Sequence, residues 1–426
     1  MRKQVHFYIF YGSLMAAVAT LPVTYKFTLP IAVLLLVNWI AEWNWKEKVQ
    51  RIKNSSYPVL FYISVSFFLI YVIGLFYSSN KTAALSDLEY KIWFLVSPLI
   101  FFTADPQRLT KKRIHTLFYA LILSSIALII LNYVIAFIHY LVTKDILEFF
   151  YARLSHFMHP SYSALHITTA FLTAFYLLFI YKEPRKLFVK IFLGMSLLLF
   201  AVYIVCLQSK AGLLVFVVLL FILGLYLINQ QQKRVLLSIV FIVAMLVSPM
   251  VLGKFIHLPV NRFKASIKKL EDPKNMDDPQ DGTWQRIAIW KASRDVALEH
   301  LPFGTGTGDV KENLTRKYKE YGYTYIYTNQ SNSHNQYLQT FIALGIPGLL
   351  ILLAYFLCPL FVTVKKRELL YFCFIITVML NLLVESMFER RAGCDFVALF
   401  NGLFCFMMLF SDKKIFNFNH NEESLD

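Results

Sequence analysis

Ser331-Asn332-Ser333-His334-Asn335-Gln336 sets one imidazole among hydroxyl and amide side chains, directly before a long apolar run. Histidine is the side chain whose ordinary titration spans neutral pH, so His334 in this setting suits general-base work. A capping or interfacial histidine is the other reading of the same residues. Several cations stand at comparable places, where an apolar run meets a polar stretch. Lys210 lies in Gln208-Ser209-Lys210-Ala211-Gly212, and Arg286 lies in a periodic segment that begins at Thr283. Arg390 and Arg391 lie in Glu385-Ser386-Met387-Phe388-Glu389-Arg390-Arg391-Ala392-Gly393, and Arg153 precedes His156 and His159 in a loop. An anion at one surface would account for such a set. A diphosphate suits it, because guanidinium groups grip phosphate oxygens in pairs.

Each cation also has a plainer reading. Lys210 could be a lysine snorkelling to a membrane interface. Arg390 and Arg391 could pair structurally with Glu385 or Glu389. His159-Pro160 reads as a helix start, with the histidine as its cap.

The elements that must position these groups are helices in lipid. Of 426 residues, 58% are hydrophobic and 17% aromatic, more apolar surface than a soluble domain can hide. The period-two alternation of barrel strands is missing, so the fold class is all-α, a polytopic membrane protein. Hydrophobic runs fall at about 7–24, 28–45, 57–77, 89–104, 114–140, 161–181, 188–207, 211–229, 234–253, 336–362, 369–388 and 393–411. About twelve transmembrane helices are expected. Arg2-Lys3 followed by an apolar run with Ala17-Val18-Ala19 has a signal-peptide look, but so many later spans favour an uncleaved first helix.

The net charge of +16 could suggest nucleic acid, but its distribution reads as topology. Half of the 42 basic residues lie near the N-terminus and in the loops around 46–53, 108–113, 182–190, 233–234, 365–367 and 413–414. By the positive-inside rule those loops and both termini are cytoplasmic, and the other loops face outward. The expected organisation is helices one to nine over 1–253, a large periplasmic loop over 254–335, helices ten to twelve over 336–411, and a cytoplasmic tail over 412–426. No internal repeat is visible, which disfavours transporters built from paired halves. Cys206, Cys358, Cys373, Cys394 and Cys405 lie inside apolar runs without ligand spacing, and read as small buried hydrophobes.

Inside the long polar segment, Asn261 to Asp281 reads as a charged, solvated loop. A helix from Thr283 would put Ile287, Trp290, Ala297, Leu298 and Leu301 on one stripe, lying on the membrane or on the bundle. Leu301-Pro302-Phe303-Gly304 ends it. Gly304-Thr305-Gly306-Thr307-Gly308 has neither a preceding strand nor a following Lys-Ser/Thr pair, so it reads as a tight turn rather than a phosphate loop.

Gln208–Gly212, Arg286-Ile287-Ala288-Ile289-Trp290 with Pro302–Gly308, and His334-Asn335-Gln336-Tyr337-Leu338-Gln339 with Gly345-Ile346-Pro347-Gly348-Leu349 together resemble the O-antigen ligase and polymerase superfamily. The architecture, of C-type glycosyltransferase kind, resembles it along essentially the whole chain. The resemblance implies a bacterial inner-membrane enzyme with its active site facing the periplasm. It would move a glycan from undecaprenyl diphosphate to an acceptor such as lipid A–core, without a nucleotide sugar. Carried over by position, His334 is the catalytic histidine, and Arg286 and Lys210 grip the donor diphosphate. Arg390, Arg391 and Arg153 are further candidates for that grip, with Ser209, Asn335 and Glu389 in supporting places. The family usually has arginine where this chain has Lys210, which keeps the charge and loses the two-pronged fork. The 385–393 segment resembles a hairpin of some ligase members, favouring ligase over polymerase.

No cofactor is expected and no metal, so the transfer would be a single, inverting displacement. Asp87-Leu88-Glu89 offers paired carboxylates for a metal-dependent version, though charge capping at a helix start is the plainer role. Rival readings share the donor: a polymerase, or a protein O-oligosaccharyltransferase with a peptide hydroxyl as acceptor. From another class comes a lipid-linked glycan transporter, which would carry charges deep within its helices rather than at their ends.

Overall fold

The computed structural model describes residues 2–181, 183–229 and 282–410. The expected ninth span at 234–253, the charged stretch from Asn261 to Asp281 and the 412–426 tail lie outside the described residues. Every described element is a helix or turn. In chain order the helices are α1 (Arg2–Thr20), α2 (Thr28–Ala41), α3 (Trp45–Lys53), α4 (Val59–Tyr77), α5 (Lys81–Lys91), α6 (Trp93–Thr103), α7 (Lys111–Thr143), α8 (Tyr151–Leu154) and α9 (Pro160–Phe175). Then come α10 (Leu187–Cys206), α11 (Lys210–Asn229), α12 (Gly282–Glu299), α13 (Val310–Glu320), α14 (Thr324–Thr328), α15 (Gln336–Lys366), α16 (Leu369–Leu382) and α17 (Arg391–Phe410). A π-helical turn, Tyr176–Ile180, continues α9.

Among these, α4, α7, α9 with its extension, α10, α11, α15 and α17 are long and apolar enough to cross a membrane. The chain is a polytopic helical membrane protein. Two of the spans form the centre: 89% of the α9 window and 94% of the α17 window are buried, against 28% for α4, α10 and α11. The outer helices turn apolar side chains such as Phe76, Val142 and Phe188 outward, as lipid contact requires. Close approaches follow small residues. A Cβ on Gly212 of α11 would lie 2.6 Å from Ala164 Cβ of α9, and one on Gly402 of α17 would lie 2.1 Å from Ser97 Oγ of α6.

Most of the loop cations gather at one end of the bundle. Lys3 pairs with Glu47 at 2.8 Å, Arg51 donates to the Thr103 carbonyl at 2.7 Å, and Lys366 lies over the Tyr57 ring at 5.3 Å. The polar segment after α12 packs at the opposite end.

Its attachment depends on a break in α15. At Gly345 the backbone turns to φ +60, which interrupts the helix. The amide of Ile346 donates to Pro302 O at 2.9 Å instead of to Ile342, and Pro347 has no N–H to offer Ala343. The two stranded carbonyls accept from the glycine-rich run: Thr305 N to Ile342 O at 2.8 Å and Gly306 N to Ala343 O at 2.9 Å. Thr307 Oγ1 donates to Tyr71 O at 2.8 Å, and Gly308 N to Ser78 Oγ at 3.0 Å. The Asp309 carboxylate then accepts from the Ser79 and Asn80 amides at 2.6 and 2.8 Å. The run is the expected turn, and four of its amides, those of Gly304, Thr305, Gly306 and Gly308, are taken by protein oxygens.

The stripe expected on α12 is different. Trp284, Ala288, Ile289, Ala292, Ser293, Val296 and Ala297 are buried, whereas Leu298 and Leu301 are about half exposed and Ile287 and Trp290 only partly covered. The buried face mixes small residues with Trp284, Ile289 and Val296, and α12 packs against α15.

Gly345 offers a test of the break. Gly322 has a similar φ of +70 but open space around it, while a Cβ at Gly345 would lie 1.9 Å from Pro302 O. Gly322→Ala should cost about 1 kcal/mol of backbone strain. Gly345→Ala should cost roughly 3 kcal/mol or more, because strain and collision add. Thermal unfolding of the two variants in detergent checks the order; equal melting temperatures would refute it.

Candidate active site

Several helices begin near one another at the end where the polar segment docks. Asn335 caps α15, its side chain accepting from Leu338 N at 3.1 Å. His159 caps α9, with Nδ1 accepting from Ser161 N at 3.3 Å and Pro160 in the first helical position. Ser209, just before α11, lies 3.4 Å from Ser161 through their hydroxyls and accepts from Gly212 N at 3.2 Å. Lys210 is thereby held beside the start of α9, half-buried at the first position of α11. Helix N-termini carry partial positive charge, so this end of the bundle favours an anion before any side-chain charge is added.

Glu385 links the groups that matter. It is buried between α16 and α17, with Oε1 3.3 Å from His334 Nδ1 and Oε2 4.0 Å from Arg286 Nη2. The contact with His334 is a close charge pairing rather than an aligned hydrogen bond, since His334 Nδ1 has no well-aligned partner. Arg286 Nε is also buried without a hydrogen-bond partner. Burial alone would raise the Glu385 carboxyl. His334, Arg286 and His159 outweigh burial and hold it below its ordinary 4.5.

The backbone around His334 is fixed by the same hairpin. Ser386 Oγ lies 3.0 Å from Ser333 Oγ and accepts from Asn335 N at 3.1 Å, and Ser333 N donates to Gln339 Oε1 at 3.1 Å. His334 itself takes a positive φ of 43, with its amide donating to Asn332 Oδ1 at 3.1 Å. Gln336 Oε1 accepts from Phe388 N at 2.7 Å on one side of the hairpin. On the other, fully buried Lys91 donates to Phe388 O at 2.9 Å, stands 3.6 Å from Glu389 and pairs closely with Asp87.

Of the cations singled out in the sequence, Arg286 joins His334 directly. Arg390 is exposed and close enough for its charge to act on His159. Arg391 turns away to Glu89 at 2.5 Å and lies over the Tyr90 ring at 5.2 Å. Arg153 belongs to a separate group, 2.6 Å from Asp145 and 3.4 Å from Glu148. The plainer reading of Arg390 and Arg391, pairing with Glu385 or Glu389, is not the one found. Glu385 serves Arg286 and His334, and Glu389 serves Lys91, because the hairpin folds back on α5 and α15 rather than on itself. Asp87 and Glu89 also change role. They lie in the last turns of α5, not at a helix start, and each is matched by a cation, Lys91 and Arg391.

A helix cap is the plainer reading of His159. It is one, but it also stands in the field of Glu385, Arg286, His334 and Arg390. Nothing in the local sequence distinguishes that second role, since all four partners are remote in the chain.

A family model described as O-antigen ligase matches residues 195–353. The matched span carries Ser209, Lys210, Arg286, His334, Asn335 and both halves of the Gly345 clasp, while His159 and the Glu385 hairpin fall outside it. The match likens this part of the chain to O-antigen ligase/polymerase-type proteins, and the apolar helices fit a multi-pass membrane protein. No curated protein matches the chain.

The Glu385 contact has a pH signature. A carboxyl held below its unfolded value stabilises the fold fully above 4.5, and that contribution is lost as pH falls through the lower folded value. The wild type should therefore melt higher than Glu385→Gln at pH 7, with the gap closing below about pH 4. Melting temperatures measured across that range check it; a gap that widens toward acid would refute the pairing.

Proposed function

We propose that the chain is a glycosyltransferase, an O-antigen ligase in the bacterial inner membrane with its active site at the periplasmic face. It moves O-antigen glycan from undecaprenyl diphosphate to a sugar hydroxyl of lipid A–core. The observation that carries this reading is the shared carboxylate. Glu385 holds the imidazole of His334 and the guanidinium of Arg286 on its two oxygens, which puts a proton acceptor beside an anion grip.

The chemistry follows from that geometry. His334 Nδ1 faces Glu385, leaving Nε2 to take the proton of the acceptor hydroxyl as its oxygen attacks the anomeric carbon. The carboxylate stabilises the imidazolium that results. As the new C–O bond forms, the bond from C1 to the phosphate oxygen breaks and the electron pair leaves with the diphosphate. Arg286, Lys210 and Arg390 meet that charge, helped by the N-termini of α9, α11 and α15. One displacement of this kind inverts the anomeric configuration. We assign Asn335 and Ser209 to framing, since both serve helix starts, and Glu389 to holding the hairpin through Lys91.

Reconstitution with purified undecaprenyl-diphosphate glycan and lipid A–core, scored by product mass, tests the proposal. His334→Ala should lower transfer about 10²–10⁴-fold while donor binding survives. Arg286→Lys should weaken donor binding as well as turnover, because one ammonium does not replace the fork. Product formed only on lipid-linked repeat units would make the enzyme a polymerase, and product on a peptide hydroxyl a protein O-oligosaccharyltransferase. Movement of the lipid-linked glycan across sealed vesicles without any product would make it a transporter.

A further inference from the structure

His159 carries an inference beyond its place in the helix start. Its Nδ1 accepts from Ser161 N at 3.3 Å, which requires a lone pair on that nitrogen. In a neutral imidazole the proton then sits on Nε2, so the cap fixes the tautomer. Among the described residues no acceptor takes the Nε2 hydrogen. The side chain is open to solvent, yet enough protein surrounds it for burial to lower its pKa. Tyr162, whose ring centre is 6.4 Å from that of His159, donates to Ser386 O at 3.5 Å, which puts the start of α9 against the hairpin that carries Glu385. The charges that reach it are Glu385, Arg286, His334 and Arg390, the groups of the proposed site.

We propose that His159 is a third binding group for the donor, its Nε2–H donating a hydrogen bond to a non-bridging oxygen of the lipid-linked diphosphate. This rests on the glycosyltransferase reading and deepens it. The choice of phosphate over sugar follows from the surroundings. His159 caps the start of α9, and the strongest charge that reaches it, Glu385, is already faced by Arg286 and His334, so the helix N-terminus and Arg390 are left to favour an anion. A neutral donor suits the position, because it grips the oxygen without adding a further charge against the two arginines.

Asparagine separates the two roles of this residue. Among side chains it is one of the best helix caps, so His159→Asn keeps the acceptor for Ser161 N and removes the ring nitrogen that reaches the ligand. His159→Ala removes both. Binding of undecaprenyl diphosphate to the detergent-solubilised full chain should weaken roughly 10- to 100-fold in His159→Asn, the range for a hydrogen bond to a charged group. The melting temperature of that variant should stay at the wild-type value, while His159→Ala should lose stability as well. Wild-type affinity in His159→Asn overturns the inference and leaves the glycosyltransferase reading standing. Binding lost only in step with stability, in both variants, makes His159 a cap alone. Failure of the wild type itself to bind undecaprenyl diphosphate removes both readings together.

Discussion

Two carbonyl groups set the terms for this structure. When α15 breaks at Gly345, Ile342 and Ala343 lose their helical partners at a depth where lipid offers none. An unpaired backbone carbonyl there is costly, so the break survives only because Thr305 and Gly306 supply the missing donors. The requirement works in both directions. The glycine-rich run has amides that need acceptors, and the broken helix has acceptors that need amides. A Cβ on Gly304, Gly306 or Gly308 would meet protein atoms within 2.6 Å, so only glycine lets the two backbones approach. The clasp fastens the polar segment to α4 and α15, and so decides where α12 can lie. Arg286 reaches Glu385 because α12 is held against α15 by this attachment and by its own buried face.

Around that frame the electrostatics are a contest between desolvation and attraction. Glu385 is buried, which by itself favours the neutral acid, and His334, Arg286 and His159 reverse the balance. The carboxylate also separates His334 from Arg286, whose like charges would otherwise repel whenever the imidazole is protonated. Only the carboxylate is buried, while Arg286 and His334 stay about a third exposed. What it contributes is geometry, since each partner is fixed only while the other two are in place. The same logic governs Lys91, whose burial is tolerated because Asp87, Glu389 and the Phe388 carbonyl all face it.

The sequence shows most of the helices and the residues of the matched motifs, but not how they meet. Hydrophobic runs locate the spans because the bilayer imposes a length and a polarity that no tertiary contact overrides. The polar Ser-Asn-Ser-His-Asn-Gln start of α15 is legible for the same local reason. The face of α12 is not. Its residues Ile287, Trp290 and Leu298 form a plausible apolar stripe, but the face that is buried runs through Trp284, Ala288, Ile289, Ala292, Ser293 and Val296. The partners of the 385–391 hairpin are equally hidden. Glu385 and the arginines are close in sequence, so pairing among themselves is the natural expectation. The hairpin's fold instead sends Glu385 to His334, Glu389 to Lys91 and Arg391 to Glu89. Contacts of that range depend on where whole helices sit, and no local pattern encodes them.

The position of Glu385 is consequently set by elements that carry no chemistry of their own. Gln336 grips the Phe388 amide from α15 and Lys91 grips the Phe388 carbonyl from α5, so a single peptide group is anchored from both sides. Three residues earlier along that backbone stands the carboxylate that organises His334 and Arg286. A small movement of α5 relative to α15 would shift it by a similar amount, and a shift near 1 Å is enough to cost a reaction about 10²-fold. The clasp at Gly345 opposes such movement, because it ties α15 to the end of α4 and, through Asp309, to the first residues before α5. The backbone bonds that satisfy two stranded carbonyls therefore also hold the distance between His334 and Glu385.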